Sequence, residues 1–167
     1  KQAGRTQNKI YSVKFIMSKA ANSPFAAIVT VFFFWGFLAA SNGIFIPFCK
    51  THFQLSQFES QLVDSAFYGA YFIGSLLLYI ISLQLNSDII NRVGYKRTII
   101  YGLLVSIVGA VIMIPAVNLG SFAFILLAFF IIALGFSLQQ TSANPLVLNI
   151  GDPASGSHRL NFAGSIN

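Results

Sequence analysis

Charge is what this sequence has least of. Asp and Glu together number four and Lys and Arg ten in 167 residues, so 8% of the side chains are charged, where soluble domains carry about a quarter. Beside a hydrophobic share of 56%, that scarcity excludes a water-soluble globule, whose surface it could not solvate. Cysteine is almost missing too. With Cys49 alone, neither an internal disulfide nor a thiol-built metal cluster is possible, and the thiol reads as an inert, half-buried group.

What is present is long stretches with no charge at all. Residues 20–49, 65–87 and 98–151 contain no Asp, Glu, Lys or Arg. A spanning helix needs about 20 apolar residues at a 1.5 Å rise. The first two runs each fit one span, and the third fits two joined by a turn. The expected fold is therefore an all-α integral membrane protein with spans at about 25–48, 60–84, 98–117 and 121–148. "NLGS", Asn118 to Ser121, is the turn between spans 3 and 4, and Pro115 falls in the last turn of span 3, where a lost backbone bond is tolerated. A cleaved signal peptide does not fit the first run. Signal cores are roughly 7–15 residues long, whereas this run is longer, Phe-rich and followed by further spans.

The basic residues set an orientation. Lys1, Arg5, Lys9, Lys14 and Lys19 precede span 1, and Lys50 alone occupies the next loop. Arg92, Lys96 and Arg97 follow span 2, and none lies between spans 3 and 4. The alternation places residues 1–24 in the cytoplasm as a tail. The formal charge of +6 is thus a topology signal, and its division among separate flanks speaks against a nucleic-acid partner. Arg159 marks the cytoplasmic side again, and a fifth span begins at about 159. Lys at position 1 and the stop inside that fifth span read as a fragment of a longer protein, with Met17 an alternative native start. Residues 25–167 are then part of a larger helical bundle.

Polar residues within the apolar runs are the candidates for function. Asp64 is the one carboxylate inside a span. A central Asp costs about 2.5–3.5 kcal/mol on insertion scales, so it should face a cavity or a partner. It shares a helical face with Gln57, Gln61, Ser65, Tyr68, Tyr71 and Ser75, a polar and aromatic stripe suited to a solute path. The alternative is that Asp64 lies near the outer interface and reaches water there. In span 1, Asn42–Gly43 interrupts an apolar helix two turns after Trp35. An indole and an amide together suit a sugar, whose C–H face stacks while its hydroxyls bond; the alternative is helix–helix packing through small and amide residues. In span 4, Gln140, Thr141 and Asn144 fall on one face, with Gln139 about 100° away. Pro145 frees the carbonyl near Thr141 as an acceptor. Four polar residues within six exceed what packing alone needs. Spans 1 and 4 both carry a small residue, Asn and a helix breaker, "SNG" at 41–43 and "ANP" at 143–145, a pattern that points to a transporter site in inverted repeats.

With these residues in place the chain resembles a known family. "NRVGYKR" after span 2 is similar to the loop motif of the major facilitator superfamily, with Asn91 where Asp is usual and with Arg92, Gly94 and Lys96 in place. "WGFLAASNGIFIP", "SAFYGAYFIGS", "LQQTSANP" and "HRLNFAG" resemble the fucose permease-like branch, the fucose:proton symporter family that includes glucose/galactose transporter-like members. The resemblance covers span 1 to the C-terminus. It implies twelve helices in two halves, of which this chain holds four and the start of the fifth, the C-terminal half being a missing partner of the same chain. It also implies a sugar site drawing on Trp35, Asn42, Gln140, Asn144 and Asn161. Family members often have Asn-Asp in span 1, where this chain has Asn42–Gly43, and many have an acid at the position of Gln140. Asp64 stands where an amide is common. The proton site has therefore moved to Asp64, or another cation is coupled, or the protein is a uniporter.

These readings predict transport of a neutral hexose or 6-deoxyhexose such as glucose, galactose or fucose, by cation symport across a bacterial cytoplasmic (inner) membrane. No cofactor and no metal is expected. An enzyme would need an acid–base or nucleophilic constellation, and His52 and His158 fall in loops on opposite faces of the membrane. A structural or receptor-type membrane protein would not require interrupted helices with clustered amides. A channel would present a ring of identical polar residues from an oligomer.

Overall fold

The computed structural model describes residues 24–150 and 152–167. The N-terminal tail, with its five basic residues and Met17, lies outside the described residues. In chain order the helices are α1 (Pro24–His52), α2 (Gln57–Gln84), α3 (Ile89–Val93), α4 (Tyr95–Asn118), α5 (Phe122–Asn149) and α6 (Gly156–Ile166), the last preceded by a 3₁₀ turn at Pro153–Ser155. Among the described residues there is no strand. Four helices, α1, α2, α4 and α5, are long and apolar enough to cross a membrane. The chain is an all-α membrane protein.

Local chemistry explains where the helices begin and end. Pro24 opens α1, a position where its missing N–H is no loss. Ser56 caps α2 through a reciprocal pair: its hydroxyl accepts from Glu59 N at 3.2 Å, and the Glu59 carboxylate accepts from Ser56 N at 2.8 Å. Asp88 caps α3 by accepting from Ile90 N at 2.9 Å. Gly94 joins α3 to α4 with φ +92°, a conformation that a side chain would strain. Gly120, at φ +62°, makes the turn from α4 to α5, and Pro115 sits in the last turn of α4 without ending it early.

The described residues divide into two compact units, 24–36 with 147–150 and 152–167, and 37–146. In the larger unit, α4 and α5 approach through glycines. A Cβ on Gly102 would lie 2.6 Å from Gly135 O, and one on Gly109 would lie 2.8 Å from Ile132 N. Small residues of this kind let backbones come close where lipid offers no hydrophobic drive. Gly74 of α2 meets Ser137 of α5 in the same way, and the Ser75 and Ser137 hydroxyls are bonded at 3.0 Å. Phe45 packs on Phe129 with ring centroids 4.9 Å apart, and Phe67 on Phe136 at 5.8 Å.

In the smaller unit, Phe25 meets Phe162 at 6.1 Å, and Arg159 closes the end of α5. Its Nε donates to Val147 O at 3.1 Å, Nη2 to Leu148 O at 2.9 Å, and Nη1 to Asp152 O at 3.1 Å and Ser155 Oγ at 2.6 Å. A cation on carbonyls that the last helical turn leaves without partners is the favourable arrangement. The side chain read as a topology marker is also a helix cap.

Candidate functional site

The polar stretch of α5 separates into two kinds of residue. Gln139 is buried, 1% exposed. Its Nε2 donates to Ser106 Oγ of α4 at 3.2 Å, and Ser106 donates in turn to Ile132 O at 3.2 Å. Thr141 donates to Ser137 O one turn back at 2.7 Å. These two are absorbed by the fold. Gln140 and Asn144, one turn apart, are half-buried, and neither side chain bonds to another described residue. An amide brings two donors and an acceptor, so each has its full capacity open. Ser142 is wholly buried, with a hydroxyl that meets no partner.

Thr141 and Pro145 also border a cavity of about 330 Å³ with Ser75, Tyr79, Ser82, Asp88 and Tyr95, where α2, α3, α4 and α5 converge. Hydroxyls and one carboxylate supply its polar lining. The Thr141 carbonyl, which Pro145 deprives of its helical donor, belongs to the same region.

Across α1 and α2 the structure brings together two residues that sequence reasoning treated separately. Asn42, 7% exposed, directs Nδ2 to Asp64 Oδ1 at 3.5 Å. That is long for a hydrogen bond, whose usual N–H···O range is 2.7–3.2 Å. Asp64 itself is half-buried, seven residues after the first residue of α2. Much of the remaining α2 stripe is spent on structure: Ser65 donates to Gln61 O at 3.0 Å, Ser75 is tied to Ser137, and Gln57 accepts from Lys50 Nζ. Tyr68 is exposed and Tyr71 half-buried.

Trp35 and Asn161 belong to the smaller unit. Trp35 is 7% exposed, its ring tilted onto Phe32 with centroids 4.7 Å apart; it is packed rather than open-faced. Asn161 is exposed on α6.

The loop motif is an ordered corner. Asn91 Nδ2 donates to Asp88 Oδ2 at 2.9 Å and its Oδ1 accepts from Tyr95 OH at 2.6 Å. Asn91, standing where Asp is usual, thus bridges an acid and a phenol, a role that needs a donor and an acceptor together. Arg92 and Lys96 are exposed. Sequence reasoning missed α3 and the cap on it. The signal was there, since "SDIINR" places Asp before a short apolar pair, as an N-cap does.

The geometry agrees with what the chain is similar to. No protein-family model matches it. It is 36% identical over 141 residues to a glucose/galactose transporter of Brucella abortus, a match covering 84% of this chain and 32% of that protein. It is 35% identical over 144 residues to the L-fucose-proton symporter of Escherichia coli, covering 86% of this chain and 31% of the symporter. A crystal structure of the E. coli fucose:proton symporter superposes with a TM-score of 0.63 at 34% identity, over 86% of this chain and 32% of that one. The chain therefore spans about a third of the length of the curated relatives it matches. Its helices form the N-terminal part of a major facilitator fold, the class of membrane carriers. Within that class the chain is similar to members of the fucose:proton symporter family, and these relatives are sugar transporters, not enzymes.

Proposed function

We propose that the protein to which this chain belongs carries a neutral monosaccharide, a hexose or 6-deoxyhexose such as glucose, galactose or fucose, across the bacterial cytoplasmic membrane by cation-coupled symport, with its N-terminus in the cytoplasm. The observation that carries the reading is the pair Gln140 and Asn144: two amides inside a membrane helix, half-buried and unbonded among the described residues, beside Gln139 and Thr141, whose polar groups are used. Polar groups are costly in a bilayer unless met, and a polyol meets an amide as donor and acceptor at once. The names of the relatives support the same substrate class. Trp35 is a further candidate for contact with sugar, though the fold engages it; Asn42 is taken up by its approach to Asp64, and Asn161 enters through the family resemblance alone. The partner cation is a proton in the first instance, with Asp64 the carboxylate that binds it.

A sugar uniporter is the second reading, supported by Gly43 and Gln140, which place no titratable group where the family often has acids. Uptake of labelled hexoses into proteoliposomes of the full-length protein, with and without an inward proton gradient, tests both. Accumulation above equilibrium only with the gradient supports symport. Equilibration at the same level in both conditions supports uniport, and no uptake of any hexose overturns the sugar reading.

A further inference from the structure

The 3.5 Å approach of Asn42 Nδ2 to Asp64 Oδ1 gives the amide of α1 a role other than sugar binding. We propose that Asn42 is the positioning residue of the Asp64 carboxyl, holding it in one place in both its charged and its neutral form. The proposal rests on the reading of Asp64 as the coupling carboxylate.

The chemistry of an amide suits this role better than that of a cation. An ionised carboxylate only accepts, and Asn42 offers it an N–H. A protonated carboxyl has an O–H to donate, and the carbonyl of the same amide, turned by half a rotation, accepts it. A Lys or Arg partner would favour the charged form alone and hinder reloading. Among the described residues no Lys, Arg or His lies within ion-pair distance of Asp64. α5, which meets α2 through Phe67 and Phe136, has no titratable side chain at all. On α1 the titratable groups are Cys49, Lys50 and His52 at its far end, and on α2 itself the nearest are Glu59, Tyr68 and Tyr71.

Asn42 is itself buried, which leaves less of its amide for a solute than Gln140 and Asn144 offer. The polar residues of α1, α2 and α5 therefore divide by function, the α5 amides meeting the sugar and the α1 amide meeting the carboxyl.

The test uses the full-length protein in proteoliposomes, comparing Asn42→Ala, Asp64→Asn and the exchanged pair Asn42→Asp with Asp64→Asn. Sugar binding to each purified variant serves as the check on folding and on sugar contact. The expected result is that Asn42→Ala binds and exchanges sugar within about twofold of wild type while proton-driven accumulation falls at least fivefold. The exchanged pair, which restores an amide facing a carboxyl, should recover a substantial part of that accumulation. If Asp64→Asn uncouples and Asn42→Ala accumulates like wild type, the positioning role is overturned while the coupling reading stands. An Asn42→Ala variant that is folded but has lost sugar affinity tenfold or more also overturns it, because the amide is then a sugar ligand. Wild-type accumulation by Asp64→Asn defeats the coupling reading, and the positioning role with it.

Discussion

The seam between α4 and α5 and the meeting of α1 with α2 are both helix contacts within one unit, and they are built on opposite plans. In the seam, Gly102, Gly109 and Gly135 bring backbone against backbone, and Gln139, Ser106 and Ile132 O form a continuous chain of hydrogen bonds. Between α1 and α2 the Asn42 amide and the Asp64 carboxylate approach only to 3.5 Å, and Gly43 and Gly69 on these helices meet nothing. Close packing with satisfied polar groups makes one arrangement much deeper in energy than its neighbours. A long contact between an amide and a carboxylate holds the acid in place without a charge partner that would fix its protonation state, which is what a group that must bind and release a cation requires.

The two plans respond differently to added bulk and to lost amides. Gly135→Leu should have the largest effect. Its Cβ would enter the backbone of α4, and overpacking of this kind costs about 1–3 kcal/mol or more, enough to remove folded protein from the membrane or to lower its melting temperature in detergent by several degrees. Recovery of normal yield and thermal stability would show that the seam is not closed as described. Next come Gln140→Leu and Asn144→Leu, each removing one bond to a neutral hydroxyl. The loss of ~0.5–1.5 kcal/mol should weaken sugar affinity by up to about tenfold with little change in stability; equilibrium binding measures the first and thermal melting the second. The smallest effects belong to Gly43→Ala and Gly69→Ala. With open space at both positions and helical backbone, Ala should be neutral or stabilise by about 0.5–1 kcal/mol, and a marked loss of stability in melting would mean that these positions pack tightly in the full-length protein.

The same contrast explains how much could be read from the sequence. The four long helices were legible because a charge-free run of membrane length admits few other structures. That Gln139 and Gln140 point differently was also legible, since a 100° step separates neighbours on a helix. What the sequence could not supply was register between helices. Ser106 as the partner of Gln139, and Asn42 as that of Asp64, depend on how one span slides and turns against another, and no local pattern encodes that offset. Trp35 shows the converse. Indole chemistry suggested an open stacking surface, but its burial against Phe32 depends on neighbours that its spacing from Asn42 does not reveal. α3 and the Arg159 cap were missed for another reason. Each is only a turn or two long, too short for hydrophobic periodicity to register.

The division between amides used by the fold and amides kept for a solute is the claim on which the rest depends, and two adjacent residues test it. Gln139→Leu and Gln140→Leu, made separately in the full-length protein, should be compared by sugar affinity and by thermal stability. A crossed result is expected. Gln139→Leu leaves affinity within about twofold and loses stability by about 1 kcal/mol, because the hydrogen bond from the Gln139 amide to Ser106 is lost. Gln140→Leu keeps stability and loses affinity by up to about tenfold. If Gln139→Leu is the variant that loses the sugar while Gln140→Leu binds like wild type, the assignment of the two glutamines is contradicted.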